Sequence, residues 1–558
     1  MANLTVVLTY RDVFGKSSEV DVIDLLTGVS PEKLLLILGK TNAYLLQGIS
    51  SHQIFQSYTS SFTNHFFKSE ILKIDFRLNS NRNNVFFNEK ANFNFLKFVV
   101  ENFDFLDQNK LADDSEILEI NFFRSYLIFN QLIYDSTTEN FLKEIPAEHF
   151  LEFAQILMIK KTIIDQEVTD FFSDIVKIKA HLHYFFLNER DLLEQFYNLN
   201  KIENPDLWIF EIFRILTLAE NYENITFYVE GDHWIADYCD GILINKIIGK
   251  SIASEVDLKL NSLYKKDGKY YVMNWSHFGQ HLFHRITYQL YELYKNKNNV
   301  TLKFDTYKSM IAEEVSEKIV FRKAIEKSYG RKGTFISYDT TLFTGFPDCY
   351  LRYNNFIFIF EFKDNALSKE FIQDDSYENT KSFIDERFIM KIKNGKNKPK
   401  GISQLRNVIK SLNENLHKVD PNLTKKYKKS SIEIYPVIVV SETLFSLPAV
   451  ESYLTKEFRK IKPETEFRKI NDLSVINISY LIQYFLNAEK PDFYSILKSY
   501  ILKKKTYRER GFVPDFPTIE KITYPEVAKA KQLVEIANEL PICDIDLDEQ
   551  LRRVRESN

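Results

Sequence analysis

The chain reads as a multidomain α+β protein: a mostly α-helical N-terminal region, then a domain in which helices cover a sheet. Three observations predict this. At 558 residues the chain is too long for a single hydrophobic core. Its first part is rich in long apolar-periodic stretches with few breakers, whereas Phe356 to Phe362 is apolar at every position but Glu361. A short run that is apolar on both faces is the pattern of a buried central strand.

In chain order, helices are expected over Pro31–Gln47, Leu118–Tyr134, Pro146–Asp165, Asp170–Phe186 and Leu207–Tyr222. Ile225–Val229 reads as a strand, and Asp257–Met273, interrupted by Lys266-Asp267-Gly268, as a hairpin. No clean internal repeat emerges. The boundaries implied are 1–222 for a helical accessory or regulatory region, 223–300 for a small mixed α/β element, 301–490 for the sheet domain and 491–558 for a C-terminal helical segment.

Within the sheet domain, Met310–Ile325 has neither Gly nor Pro and reads as an amphipathic helix. Cys349–Tyr353 and Phe356–Lys363 are strand-like and separated by Asn354-Asn355, residues that tolerate positive φ, which predicts a two-residue hairpin. Lys400–Ile409 reads as a second helix and Ile432–Val440 as a last buried strand. Between Asn365 and Pro399 lies a connection of a length that is usually functional or disordered, suited to a lid, a substrate clamp or a dimer arm.

Chemistry concentrates at the hairpin. Side chains alternate across a strand, so Glu361 and Lys363 share a face with Ile357 and Ile359, opposite Phe358, Phe360 and Phe362. Ending a buried strand in a carboxylate and an ammonium is costly unless the charges are paired or hold a metal. The hairpin returns Glu361 towards Asp348, so both carboxylates can grip one divalent cation, and oxygen ligands suit Mg²⁺ or Mn²⁺. Such a cation polarises a scissile phosphate, and Lys363 would orient the attacking water and offset charge on phosphorus.

Pro347-Asp348 followed by Glu361-Phe362-Lys363, with these flanks, resembles the signature of the PD-(D/E)xK nuclease superfamily over about residues 305–485. The resemblance is one of motif order. It implies an α/β restriction-endonuclease-like core, built as a helix carrying an acid, three strands, a second helix and a fourth strand. It further implies Mg²⁺-dependent endonuclease activity, with Asp348, Glu361 and Lys363 as catalytic residues and the first two as metal ligands. Glu317, or alternatively Glu314, would be the helical acid, and Gln404 the polar residue that the second helix directs at the site. The substrate implied is nucleic acid, DNA before RNA. Bacterial anti-phage defence is the setting inferred by analogy, with a homo-oligomer or a defence-system protein as further partner. The alternative is a silent nuclease-fold module that binds nucleic acid or protein without cutting, but the triad is complete.

Charge agrees with a polyphosphate substrate. The net −4 hides a split, since residues 301–558 carry 44 Lys/Arg against 37 Asp/Glu. Lys391–Lys410 holds seven basic residues and no acid, and marks Lys393, Lys396, Lys398 and Lys400 as nucleic-acid-binding. Lys425-Lys426-Tyr427-Lys428-Lys429 and Lys503 to Arg510 repeat the theme. Three widely spaced cysteines, Cys239, Cys349 and Cys543, argue against a disulfide framework. No apolar run approaches a membrane span and Met1–Tyr10 lacks the features of a signal peptide, so a cytoplasmic protein without membrane contact is expected. His277, His281 and His284 share a helix face but have no fourth ligand nearby, and read as structural. Gly249-Lys250-Ser251 lacks the first glycine of a phosphate-binding loop, Ile244 standing in its place.

Overall fold

The computed structural model describes the chain apart from residues 1–5, 17, 61–67, 81–83, 137–142, 163–170, 219–224, 230–233, 253–254, 299–300, 330–332, 339–344, 365–370, 372–373, 375, 394, 486–492, 510–533, 537, 546–548, 551 and 553–558. The architecture is mixed α+β. The expected N-terminal helices are present as Pro31–Leu46, Ser115–Ser136, Phe150–Thr162, Phe171–Asn188 and Pro205–Thr217. Two of them open on a proline in the first turn, where its missing N–H costs nothing.

The hairpin expected around Lys266-Asp267-Gly268 is Leu263–Lys266 paired with Lys269–Val272. Asp267 (φ 49°) and Gly268 (φ 73°) supply the two left-handed positions of its turn. Its expected start at Asp257 is corrected, because Glu255–Leu260 is a short helix that buries Leu258.

Helix α1 (Phe150–Thr162) belongs by sequence to the N-terminal region, but Phe153, Ala154, Ile156 and Leu157 are buried among core residues from beyond 345. Helix α2 runs without interruption from Phe304 to Tyr329: α-helical over Phe304–Ile311, π-helical over Ala312–Phe321 and α-helical again over Arg322–Tyr329. The strands β1 (Thr334–Ser337), β2 (Cys349–Tyr353) and β3 (Phe356–Lys363) form an antiparallel meander.

Helix α3 (Tyr377–Phe388) and a hairpin of β4 (Met390–Lys393) with β5 (Lys396–Pro399) fill the described part of the long connection, in place of an open loop. Helix α4 (Gly401–Val419) then leads to β6 (Glu433–Val440), parallel to β3. Helix α5 (Pro448–Ile461) leads to the short β7 (Lys469–Ile470) and β8 (Ser474–Asn477), which pair with successive halves of β6.

The six-stranded sheet thus separates two cores. Phe358, Phe360 and Phe362 join α2 and the N-terminal helices on one face, while Ile357 and Ile359 join α1, α3, α4 and α5 on the other. Parallel β3 and β6 need a crossover between them, and α4 provides it, covering the second face. The C-terminal helix α6 (Phe493–Glu509) is anchored by Lys504, which is 1% exposed and donates to Glu451 Oε1 at 2.5 Å and to the Leu473 carbonyl at 2.6 Å. The basic run beginning at Lys503 is therefore not a uniform cationic face. A charge this deep is retained only because it is fully paired.

Candidate functional site

The β2–β3 turn sets the site. Asn354 takes φ 53°, and Tyr353 faces Phe356 across the two-residue loop. The same register lays Cys349 opposite Phe360, which brings Asp348, one residue ahead of β2, alongside the carboxyl end of β3. There Asp348 Oδ2 accepts the Phe362 N–H at 2.7 Å. Glu361 is 2% exposed on an apolar strand, flanked across the sheet by Ile438, and its Oε1 accepts Lys363 Nζ at 2.5 Å. The two residues share a face, as the alternation predicts.

Glu317 enters from the π-helical part of α2. It is half-buried, and its carboxylate has no hydrogen bond or ion pair among the described residues. Glu314, the other candidate for the helical acid, instead receives Lys318 Nζ at 2.6 Å.

These carboxyls compete for little positive charge. Burial pushes Glu361 up to about 7, helped by the charge of Asp348 and opposed by Lys363. Burial likewise pushes Glu317 up to about 7, again with a contribution from Asp348. Asp348 is raised by burial, against the pull of Lys363, the Phe362 N–H and Arg322. Buried acids that resist ionisation in one another's company form a site in which added positive charge is stabilising.

Among the described residues no three His, Cys, Asp or Glu side chains form a ready ligand cage. The donor set still fits Mg²⁺ or Mn²⁺. A hard cation of this size is held by one or two carboxylates, with waters and substrate phosphate oxygens completing its shell. Asp348 and Glu361 could supply such a pair of carboxylates.

The start of α4 adjoins the pair. Gly401 (φ 38°) lies so close to α3 that a Cβ there would come within 2.7 Å of the Phe388 carbonyl. This close approach sets Lys400 where burial, then the charges of Lys363, Lys398 and Lys391, lower its pKa, while Glu361 opposes them. Lys400 thus belongs to the site's edge rather than to a remote binding loop. Gln404 is half-buried, and its Oε1 accepts the Gly401 N–H at 2.9 Å, capping its own helix. Lys396 and Lys398 are exposed on β5, whereas the side chain of Lys393 lies outside the described residues.

Of the three histidines, His277 is buried edge-on against Phe93, and His281 Nδ1 lies 3.0 Å from the Tyr238 hydroxyl. Arg322 is a site neighbour that sequence reasoning missed. It follows Glu317 by five residues, about 1.4 turns of an α-helix, and so would point elsewhere. In the π segment its N–H bonds to the Glu317 carbonyl, and its charge reaches both Glu317 and Asp348. Only the local change of helix type aligns the two.

Comparison of the chain with protein-family models, curated proteins and solved structures returns no match.

Proposed function

We propose that the chain is a metal-dependent nuclease that hydrolyses phosphodiester bonds of nucleic acid. The observation that carries this is the meeting of Glu317, Asp348, Glu361 and Lys363, drawn from a helix, a turn and a strand, at one buried end of the sheet. Element order supports it: helix, antiparallel β1–β2–β3, helix α4 and parallel β6 follow the sequence expected of a PD-(D/E)xK core. DNA before RNA, and a role in anti-phage defence, are carried over from that resemblance alone.

Asp348 and Glu361 would hold Mg²⁺ or Mn²⁺, which supplies Lewis-acid polarisation of the phosphate when bound. Lys363 Nζ, 2.5 Å from Glu361 Oε1, would orient the attacking water and offset developing negative charge. Glu317, with its proton affinity near neutrality, is matched to accepting a proton from that water. Lys391 pairs with Lys398 across β4–β5, and Lys396 lies on their face, so the hairpin lines up exposed cations leading from Lys400. Such a row suits a phosphate backbone.

The Lys363→Met substitution tests this directly. It keeps the apolar stem and removes the charge and donors. Mn²⁺ binding by calorimetry should persist or tighten, because a like charge is gone, while single-turnover cleavage falls ~10²-fold or more. Normal cleavage would refute the role of Lys363. Loss of Mn²⁺ binding would make it a support for the strand. A silent binding module would bind nucleic acid and cut in neither form.

A further inference from the structure

Arg322 has no partner among the described residues that explains it. Its side chain forms no salt bridge or hydrogen bond with them, and its Nε is buried with nothing there to donate to. A buried guanidinium donor left unmatched is costly, and each such group calls for an explanation. The neighbourhood is acidic, with Glu317 and Asp348 both within reach of its charge, yet neither carboxylate closes on it.

Its orientation is nevertheless held. The guanidinium carbon lies 4.8 Å from the centre of the Tyr338 ring, and the Tyr338 hydroxyl donates to the Arg322 carbonyl at 3.2 Å. Tyr338 thus grips the residue at both ends. The ring supports the guanidinium plane and contributes no acceptor, so the forked N–H edge keeps its donors. The π register of α2 carries this fork onto the Glu317 side. π-helical segments are rare and recur at functional sites, because they re-aim side chains that an α-helix would scatter.

We propose that Arg322 is a phosphate-binding residue of this site, its guanidinium gripping non-bridging oxygens of the phosphate held between Glu317 and the Asp348–Glu361 pair. The inference rests on the nuclease reading and extends it to a residue outside the motif. A planar fork matches phosphate through two parallel N–H···O bonds, which an ammonium cannot reproduce. It also accounts for a cation near two acids, Glu317 and Asp348, that pairs with neither of them: its partner arrives with the substrate.

The test uses the full chain in Mg²⁺, titrated with inorganic phosphate by calorimetry, with Mg²⁺ alone titrated onto each protein as the second readout. The parent should bind phosphate, and Arg322→Gln should weaken that binding about tenfold or more, as loss of charged hydrogen bonds does, with Mg²⁺ binding retained. Arg322→Lys, which keeps charge without the fork, should fall between them. If Arg322→Gln does not fold, the lysine variant decides. Phosphate binding equal to the parent's in the folded variant, no phosphate binding by the parent, or loss of Mg²⁺ binding together with phosphate would each overturn the proposal. Asp348→Asn reports separately on the nuclease reading. If Mg²⁺ binding survives it unchanged, the metal site fails, while a phosphate loss confined to the Arg322 variants still stands.

Discussion

Glu361 shows in one residue what the site costs. It sits on a strand whose neighbours are Phe360, Phe362 and, across the sheet, Ile438, so its charge is desolvated and its proton is held up to about 7. An unfolded glutamate releases its proton near 4.5, so between these values the folded chain binds more protons than the unfolded one. Stability of the metal-free protein should therefore fall as pH rises from about 4.5 to about 7. Glu361→Gln should flatten this slope in urea unfolding series, and Mg²⁺ should restore stability to the parent at the upper end but not to the variant. A parent whose stability rises across that window would contradict the burial assigned to these acids. Asp348 carries a second expectation. Its Oδ2 already serves the Phe362 N–H, so Asp348→Asn should keep the turn while weakening the metal pair. Near-parental melting without Mg²⁺ binding is the expected outcome by thermal scanning and calorimetry.

At the level of elements, the nuclease reading divides binding from positioning between the hairpin β4–β5 and the start of α4. Neutralising Lys396, Lys398 and Lys400 together should weaken nucleic-acid binding alike for all sequences. It should also flatten the salt dependence by about one unit of slope for each phosphate that these lysines no longer neutralise. An unchanged slope in fluorescence titrations would leave the hairpin without that role. Gly401→Ala forces a Cβ against the Phe388 backbone, and should cost about 1–3 kcal/mol in chemical unfolding while displacing Lys400.

How far the sequence disclosed these elements follows from what sets each one. β3, its Asn354 turn, α4 and β6 were legible because local periodicity and turn chemistry determine them. The hairpin β4–β5 carried a partial signal, Met390–Lys393 alternating apolar and polar residues before Asn394-Gly395, but Lys396–Pro399 has no β-branched or aromatic residue to mark the second strand. The π segment of α2 was not legible. Its register is a matter of packing against Phe171–Asn188, more than 100 residues away in the chain, and without it Arg322 could not be placed beside Glu317. Lys504 likewise looked like a surface cation because its partner, Glu451, is distant in sequence.

Across the whole molecule, the site helix is shared property. Val315, Val320, Phe321, Ala324 and Ile325 of α2 are buried with the N-terminal helices, and the Tyr307 hydroxyl lies 2.8 Å from His181 Nε2. Near the C-terminus, Glu539 pairs with Lys323 and Lys327, while the Tyr197 hydroxyl and His183 hydrogen-bond the carbonyls of Ile542 and Pro541. α2 is thus clamped from both ends of the chain. The fragment 301–558 should consequently expose the apolar side of α2 and aggregate, which size-exclusion chromatography would reveal. A monodisperse, folded fragment would show that the N-terminal half is dispensable for the core. Among the described residues no helix is long and apolar enough to cross a membrane. The central claim, that paired carboxylates at the end of β3 make this chain a metal-dependent nuclease, is tested most directly by cleavage. Purified full-length protein would be incubated with plasmid, linear DNA, single-stranded DNA and RNA in Mg²⁺, Mn²⁺ or EDTA, beside folded Asp348→Ala and Glu361→Ala. The account predicts cutting that requires the cation and drops ~10²-fold or more in both variants. Cutting that persists in excess EDTA, or that proceeds at the parental rate in either folded variant, would contradict it.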